Sequence, residues 1–200
     1  MINKKLTKFA ARAKFAAGML EKEAAPAKRT PGKAPVKKLS EYGKQLHEKQ
    51  KLKGTYGVLE KQFRRFFAIA RKTEGGAGEN LLSLLERRID NVVFRLKLSS
   101  TRLQARQIIV HGHILVNGKK VYSPSSLVAV GDVITFADSV MKKEKFVELV
   151  VDKRLSLNVK VPDWLELNKE ARKGIVLRLP VRSDIQMPIE EHLVVELYSK

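Results

Sequence analysis

The sequence predicts an α+β chain: helical segments around a helix-turn-helix with a small antiparallel sheet, preceded by a basic arm. Three observations carry this. Apolar residues recur at helical spacing from Tyr56 to Ala70 and again from Leu81 to Leu96. Between Thr101 and Phe136 a capping pattern, an Asn-Gly pair and a Gly-Asp pair mark a short helix and three strands. Positive charge is also unevenly placed, with 15 basic and 4 acidic side chains in residues 1–53 against 12 and 11 beyond Ala137.

The 200 residues suit one or two domains, and 44% hydrophobic content is enough for a core. A net charge of +19 attracts polyanions. There is no cysteine, which excludes disulfides and thiolate zinc sites and fits a reducing compartment. No run approaches the ~18 apolar residues of a membrane span.

Residues 1–38 form the basic arm. Met1 to Leu20 is basic without acid, and is expected to contact a polyanion rather than to serve as a targeting signal or a membrane-surface helix. Pro26, Pro31 and Pro35 with Gly32 rule out a regular helix from Glu21 to Lys38, so the arm orders against its partner. Residues 39–79 form a helical domain. Ser40 caps a charged helix whose apolar markers are Leu39, Tyr42, Leu46 and Leu52. After Gly54 a second helix turns Tyr56, Leu59, Phe63, Phe66, Phe67 and Ala70 inward, with Lys61, Arg64, Arg65, Arg71 and Lys72 on or beside its wet side. The loop Thr73–Asn80 lacks the Gly-Lys-Ser/Thr of a phosphate loop and reads as a hinge.

Residues 80–183 form the next domain. Leu81, Leu82, Leu85, Ile89, Val92, Val93 and Leu96 define one long amphipathic helix, from which Arg87, Arg88 and Arg95 project on the opposite side. Thr101 and Gln104 form a capping box, after which Arg102 and Arg106 share a face at i and i+4. Gly112 ends that helix, and His113–Val116 turns through Asn117-Gly118 into Lys119–Val121. Gly131-Asp132 opens the strand Val133–Phe136. A charged helix is expected over Val140–Asp152, a new segment at Pro162–Leu165 and a strand over Ile175–Leu179. The tail from Pro188 favours a helix, with Ile189, Leu193 and Leu197 on one face.

This order of helix, turn, helix, Asn-Gly hairpin and Gly-Asp strand resembles the S-four RNA-binding domain. Flanking segments, Lys38–Gly57, Val58–Arg65, Gly78–Arg88 and Glu191–Lys200, resemble the bacterial ribosomal S-four family. The resemblance covers Lys37 to Lys200 and weakens before it; the cysteine cluster that binds zinc in some members is absent. It implies that residues 184–200 pack back on the helical domain, making the S-four domain an insertion. It also implies binding to the 5′ domain of small-subunit rRNA early in assembly, in the cytoplasm. A place at the mRNA entry channel beside ribosomal proteins S-three and S-five, with an effect on decoding accuracy, follows from it too. By motif position Lys37 and Lys38 would face mRNA. The alternative is a free S-four-domain factor of the heat-shock type acting on stalled ribosomal subunits.

The candidate rRNA-binding residues are Lys49, Lys51, Lys53, Lys61, Arg64, Arg65, Arg87, Arg88, Arg95, Arg102, Arg106, His111, Lys119 and Lys120. Pseudouridine synthases with this module use an Asp in an Arg-Leu-Asp context. Arg88-Ile89-Asp90 is superficially similar, but Asp90 falls opposite the apolar arc of a helix and no Thr-x-Gly follows. His111 and His113 lack a third ligand, and no nucleophile elbow or carboxylate pair is present. The expected mechanism is phosphate neutralisation plus recognition of RNA shape, without catalytic residue, cofactor, metal or membrane.

Overall fold

The computed structural model describes residues 40–142, 160–185 and 187–199. Among them are helices α1 (Glu41–Thr55), α2 (Glu60–Lys72), α3 (Ala77–Glu86), α4 (Ile89–Arg95) and α5 (Arg102–Val110), then strands β1 (Ile114–Val116), β2 (Lys119–Lys120) and β3 (Val133–Phe136). Helix α6 (Asp138–Met141), strands β4 (Leu165–Asn168) and β5 (Lys173–Val176), a 3-10 turn at Arg182–Asp184 and helix α7 (Glu191–Ser199) follow. The fold is α+β. Two compact units emerge: one takes the described residues up to Gly78 together with those from Met187 onward, and the other runs from Glu79 to Gln186. The basic arm with Lys37 and Lys38, and most of the helix expected over Val140–Asp152, lie outside the described residues.

In the first unit the Ser40 hydroxyl accepts from Gly43 N–H at 3.2 Å and starts α1. The helix ends in a Schellman motif: Gly57 takes φ 60°, its N–H donates to Gly54 C=O, and Val58 N–H reaches back to Lys53 C=O. Helix α2 buries Phe63, Phe66, Phe67 and Ala70 as its spacing predicts; Leu59 stays exposed. The inward face of α1 differs from expectation. Tyr42 is exposed, whereas Gln45, Glu48, Lys51 and Leu52 are buried. The reason lies in α7, which packs on α1 and supplies polar partners: Gln45 Nε2 donates to Glu196 at 2.9 Å, and Glu190 N–H donates to Glu48 at 3.1 Å. The tail is a helix, as favoured, but it begins at Glu191 rather than near Pro188 and buries Val194 rather than Leu193 and Leu197.

The second unit corrects the long helix expected over Leu81–Leu96. Arg88 is extended (φ −61°, ψ 134°) and separates α3 from α4. There the backbone pairs with the segment Pro124–Val128 instead of with itself: Val128 N–H donates to Arg87 C=O, Ile89 N–H to Ser126 C=O, and Asp90 N–H to Pro124 C=O. The apolar period survives the break because each short helix buries its own face, so periodicity alone could not show it.

Helix α4 and α5 pack together over one face of a five-stranded antiparallel sheet ordered β2-β1-β3-β5-β4. Ile89, Val92, Val93, Leu96, Ala105, Ile108 and Ile109 meet Ile114, Ile134, Phe136, Leu165 and Val176 in one core. Thr101 Oγ1 accepts from Gln104 N–H at 3.1 Å, and the Gln104 carbonyl oxygen accepts from Ser100 N–H at 2.7 Å, fixing the start of α5. Asn117 and Gly118, both at positive φ, make the expected hairpin. The Asn117 side chain ties that turn to the Gly-Asp strand: Nδ2 donates to Asp132 at 2.7 Å and Oδ1 accepts from Val133 N–H at 2.9 Å. The segment expected to open at Pro162–Leu165 leads into strand β4 at Leu165–Asn168, and β5 starts and ends earlier than the expected Ile175–Leu179.

Candidate nucleic-acid interface

A cation can neutralise a phosphate only if its charge reaches solvent. On α2, Lys61, Arg64, Arg65, Arg71 and Lys72 do so, along the face opposite the buried phenylalanines. Arg64 keeps 70% of its side chain exposed, approaches Glu60 at 3.6 Å and also interacts with the Tyr198 hydroxyl. Lys49 and Lys53 are different. Both donate to Glu60, at 3.1 and 2.7 Å, and the Tyr198 hydroxyl donates to the same carboxylate at 2.8 Å. Partial burial alone would raise the Glu60 pKa, but the hydrogen bonds from Lys53, Tyr198 and Lys49 outweigh it and bring the carboxyl down to about 2. Burial and the Glu60 charge together push the Tyr198 phenol up. Its ring stacks on Phe67 at 4.7 Å. Lys51 is almost fully buried and lies 3.4 Å from Glu48.

In the second unit the arginines expected to project from a wet face turn inward instead. Arg88 is 0% exposed and donates through Nε and Nη2 to Asp90 at 3.0 and 2.6 Å. Asp90, expected opposite the apolar arc, is itself buried in the first turn of α4. It also holds Arg106 at 3.2 Å. Burial lowers the Arg106 pKa, Asp90 opposes that, and Arg88 adds to it. The group remains a cation. Arg95 forks onto buried Glu86 at 3.1 and 2.7 Å, and Asn91 Nδ2 donates to that carboxylate at 2.7 Å. Arg102 Nε donates to Asn91 at 2.8 Å and its guanidinium lies 4.6 Å over Phe94. Arg87 donates to Val128 C=O at 3.0 Å. A buried layer of Glu86, Asp90 and Asn91 thus organises four of the five arginines, Arg88, Arg95, Arg102 and Arg106, for it is cheaper to bury a charge paired than alone.

Half-buried Arg87, Arg95, Arg102 and Arg106 keep part of their surface in water; Arg88 does not. Lys119 and Lys120 are exposed on β2, and His111 is exposed at the end of α5. His111 and His113 stack at 5.8 Å. Among the described residues no three His, Asp or Glu side chains gather as a metal site would need, and no helix is long and apolar enough to cross a membrane.

Sequence reasoning missed two kinds of residue. The carboxylates Glu60, Glu86 and Asp90 set which cations are available, yet their partners are remote or across a helix break and leave no periodic trace. Tyr122 is exposed beside the lysine hairpin; its signal was an aromatic two residues beyond Lys120, on the same face of an alternating strand.

Comparison with known proteins adds the lineage of this arrangement. The model described as the Ribosomal protein S4/S9 N-terminal domain matches residues 3–86, and that of the S4 domain matches residues 87–134. The first match begins well before Lys37, so the likeness extends into the basic arm. Small ribosomal subunit protein uS4 of Thermoanaerobacter sp. (strain X514) is 58% identical over 164 residues, which is 82% of this chain and 77% of that protein. The uS4 proteins of Halothermothrix orenii and Caldicellulosiruptor saccharolyticus are 53% and 57% identical over the same shares, 82% and 77%. Matched over these lengths and with the helix pair, hairpin and cap in place, the chain belongs to the ribosomal protein S4 family.

Proposed function

We propose that this chain is a structural component of the small ribosomal subunit, in the cytoplasm, that binds the 5′ domain of small-subunit rRNA early in assembly. In this reading it lies near the mRNA entry channel beside ribosomal proteins S-three and S-five and contributes to translational accuracy. It has no catalytic residue and acts by binding alone. The observation that carries the RNA reading is the separation of cations into two sets. One set is locked onto Glu60, Glu86 and Asp90; the other stands in solvent on α2 and β2. Cations held outward on rigid helices and strands, in a chain of net charge +19, suit phosphate neutralisation. The uS4 names of the relatives weigh against the alternative of a free heat-shock-type factor.

Contact with phosphate is assigned to Lys61, Arg64 and Arg65 on α2, to His111, Lys119 and Lys120, and to the exposed parts of Arg87, Arg95, Arg102 and Arg106. Lys49 and Lys53 hold the helical unit together, as do Lys51 and, in the second unit, Arg88. Lys37 and Lys38 keep their proposed place toward mRNA.

The test is titration of a 5′-domain rRNA fragment at several salt concentrations. The Lys61→Ala, Arg64→Ala, Arg65→Ala triple variant should reduce the log-log salt slope by about 2 to 3, at roughly 0.7–0.9 per lost phosphate contact. Its thermal melt should be nearly unchanged. An identical slope for the triple variant and the unaltered protein would reject the assignment.

A further inference from the structure

We infer that Tyr122, flanked by His111 and His113, is a stacking site for one unpaired RNA base; this rests on the RNA-binding reading above and adds what part of the RNA is read. The register places these groups together. Leu115 pairs with Lys120 in the β1–β2 ladder and Val121 N–H donates to Ile114 C=O, so the next position brings Tyr122 opposite His113. Ile114 and Val121 face the core, and alternation along the paired segments therefore puts His113, Lys120 and Tyr122 on the other face.

Gly112 fixes the ring. It ends α5 at φ +69°, and a Cβ built there would lie 2.6 Å from Tyr122 Cε1, so the aromatic ring rests against a bare backbone. Even so, Tyr122 remains 59% exposed, whereas Phe63, Phe66, Phe67, Phe136 and Trp164 are buried. An aromatic seated on one side and open on the other is ready for a planar partner. The His111 and His113 rings, carried by the residues that flank this glycine in sequence, stack on each other at 5.8 Å with an inclination of 24°.

Charge identifies that partner. Lys119 and Lys120 are exposed on the same hairpin, and Asp132, the acid facing its turn, is engaged by Asn117 Nδ2 and by Ala129 N–H. An aromatic surface beside two free ammonium groups fits a base with its own phosphates. A paired base has its faces covered by its neighbours in the helix, so the ligand is a bulged or looped-out nucleotide, and stacking accepts any base.

The experiment uses the full chain and two RNA hairpins of equal length, one fully paired and one carrying a single bulged 2-aminopurine. The unaltered protein should bind the bulged hairpin more tightly and change the 2-aminopurine fluorescence. Tyr122→Ala should lose roughly fivefold to a hundredfold in affinity for the bulged hairpin and abolish the fluorescence change, yet bind the paired hairpin as before. Tyr122→Phe should behave as the unaltered protein, which separates stacking from any role of the hydroxyl. If Tyr122→Ala keeps both the bulge preference and the fluorescence change, or loses affinity equally for both hairpins, the stacking site is overturned while RNA binding stands. If the unaltered protein binds neither hairpin at low salt, the RNA-binding reading itself falls.

Discussion

Glu60 in the first unit and Asp90 in the second perform the same task in different surroundings. Each gathers cations from separate parts of the chain: Glu60 takes Lys49 and Lys53 together with the neutral Tyr198 hydroxyl, and Asp90 takes Arg88 and Arg106. The Glu60 side chain is 34% exposed and that of Asp90 only 5%. Water therefore screens the first cluster and is nearly absent from the second. Flexible lysines can swing into solvent when their partner is lost, but Arg88 has no such route. The difference teaches that one device can serve as an adjustable clamp at a surface and as an indispensable core element in the interior.

The comparison can be broken most directly at Asp90. Asp90→Ala should cost about 3–5 kcal/mol, because it leaves a buried guanidinium without its carboxylate. The single tryptophan, Trp164, is buried in the second unit and reports its urea unfolding. A loss no greater than that of Glu60→Ala, the latter followed by the helical circular dichroism of the first unit, would refute the contrast. Next in size is Gly174→Ala, since a Cβ there runs into the Leu96 side chain within the same core. Overpacking should cost about 1–3 kcal/mol by the same fluorescence measurement. In the first unit, Tyr198→Phe removes one hydrogen bond to Glu60 and should cost only about 0.5–1.5 kcal/mol, seen as faster amide exchange in α7.

The smallest effect is the pH response of the clamp. The Glu60 carboxyl is depressed from its ordinary value of 4.5 to about 2 in the folded protein. Its contribution is therefore fully present above pH 4.5 and is lost as the pH falls from there toward 2. Glu60→Gln should show a flatter helical circular dichroism signal against pH over that window than the unaltered protein. Parallel curves would show that the clamp does not respond to protonation.

Much of the fold was legible because its signals are local. Ser40 and Thr101 cap the helices they were expected to cap, Gly112 closes α5, and Asn117-Gly118 makes the hairpin. The phenylalanine spacing of α2 marked its buried face correctly. Strand β4 was harder to see: Leu165 and Leu167 face the core only because β5 lies beside them, and four residues carry little pattern. The candidate site was legible in composition but not in detail. Lys61, Arg64, Arg65, Lys119 and Lys120 reach solvent as expected, whereas Arg88 and Lys51 do not.

By itself, then, the sequence determined the starts of α1 and α5, the end of α5, the hairpin, the basic balance and the membership of the S4 family. Each follows from neighbours within a few residues or from totals along the chain. Tertiary structure alone decided where the helix expected over Leu81–Leu96 would break, since its backbone partners are Pro124, Ser126 and Val128. It also decided which cations are free, since the choice is made by carboxylates that folding brings alongside. The charge of an arginine is a property of the residue; whether that charge can meet a phosphate depends on what else it meets first.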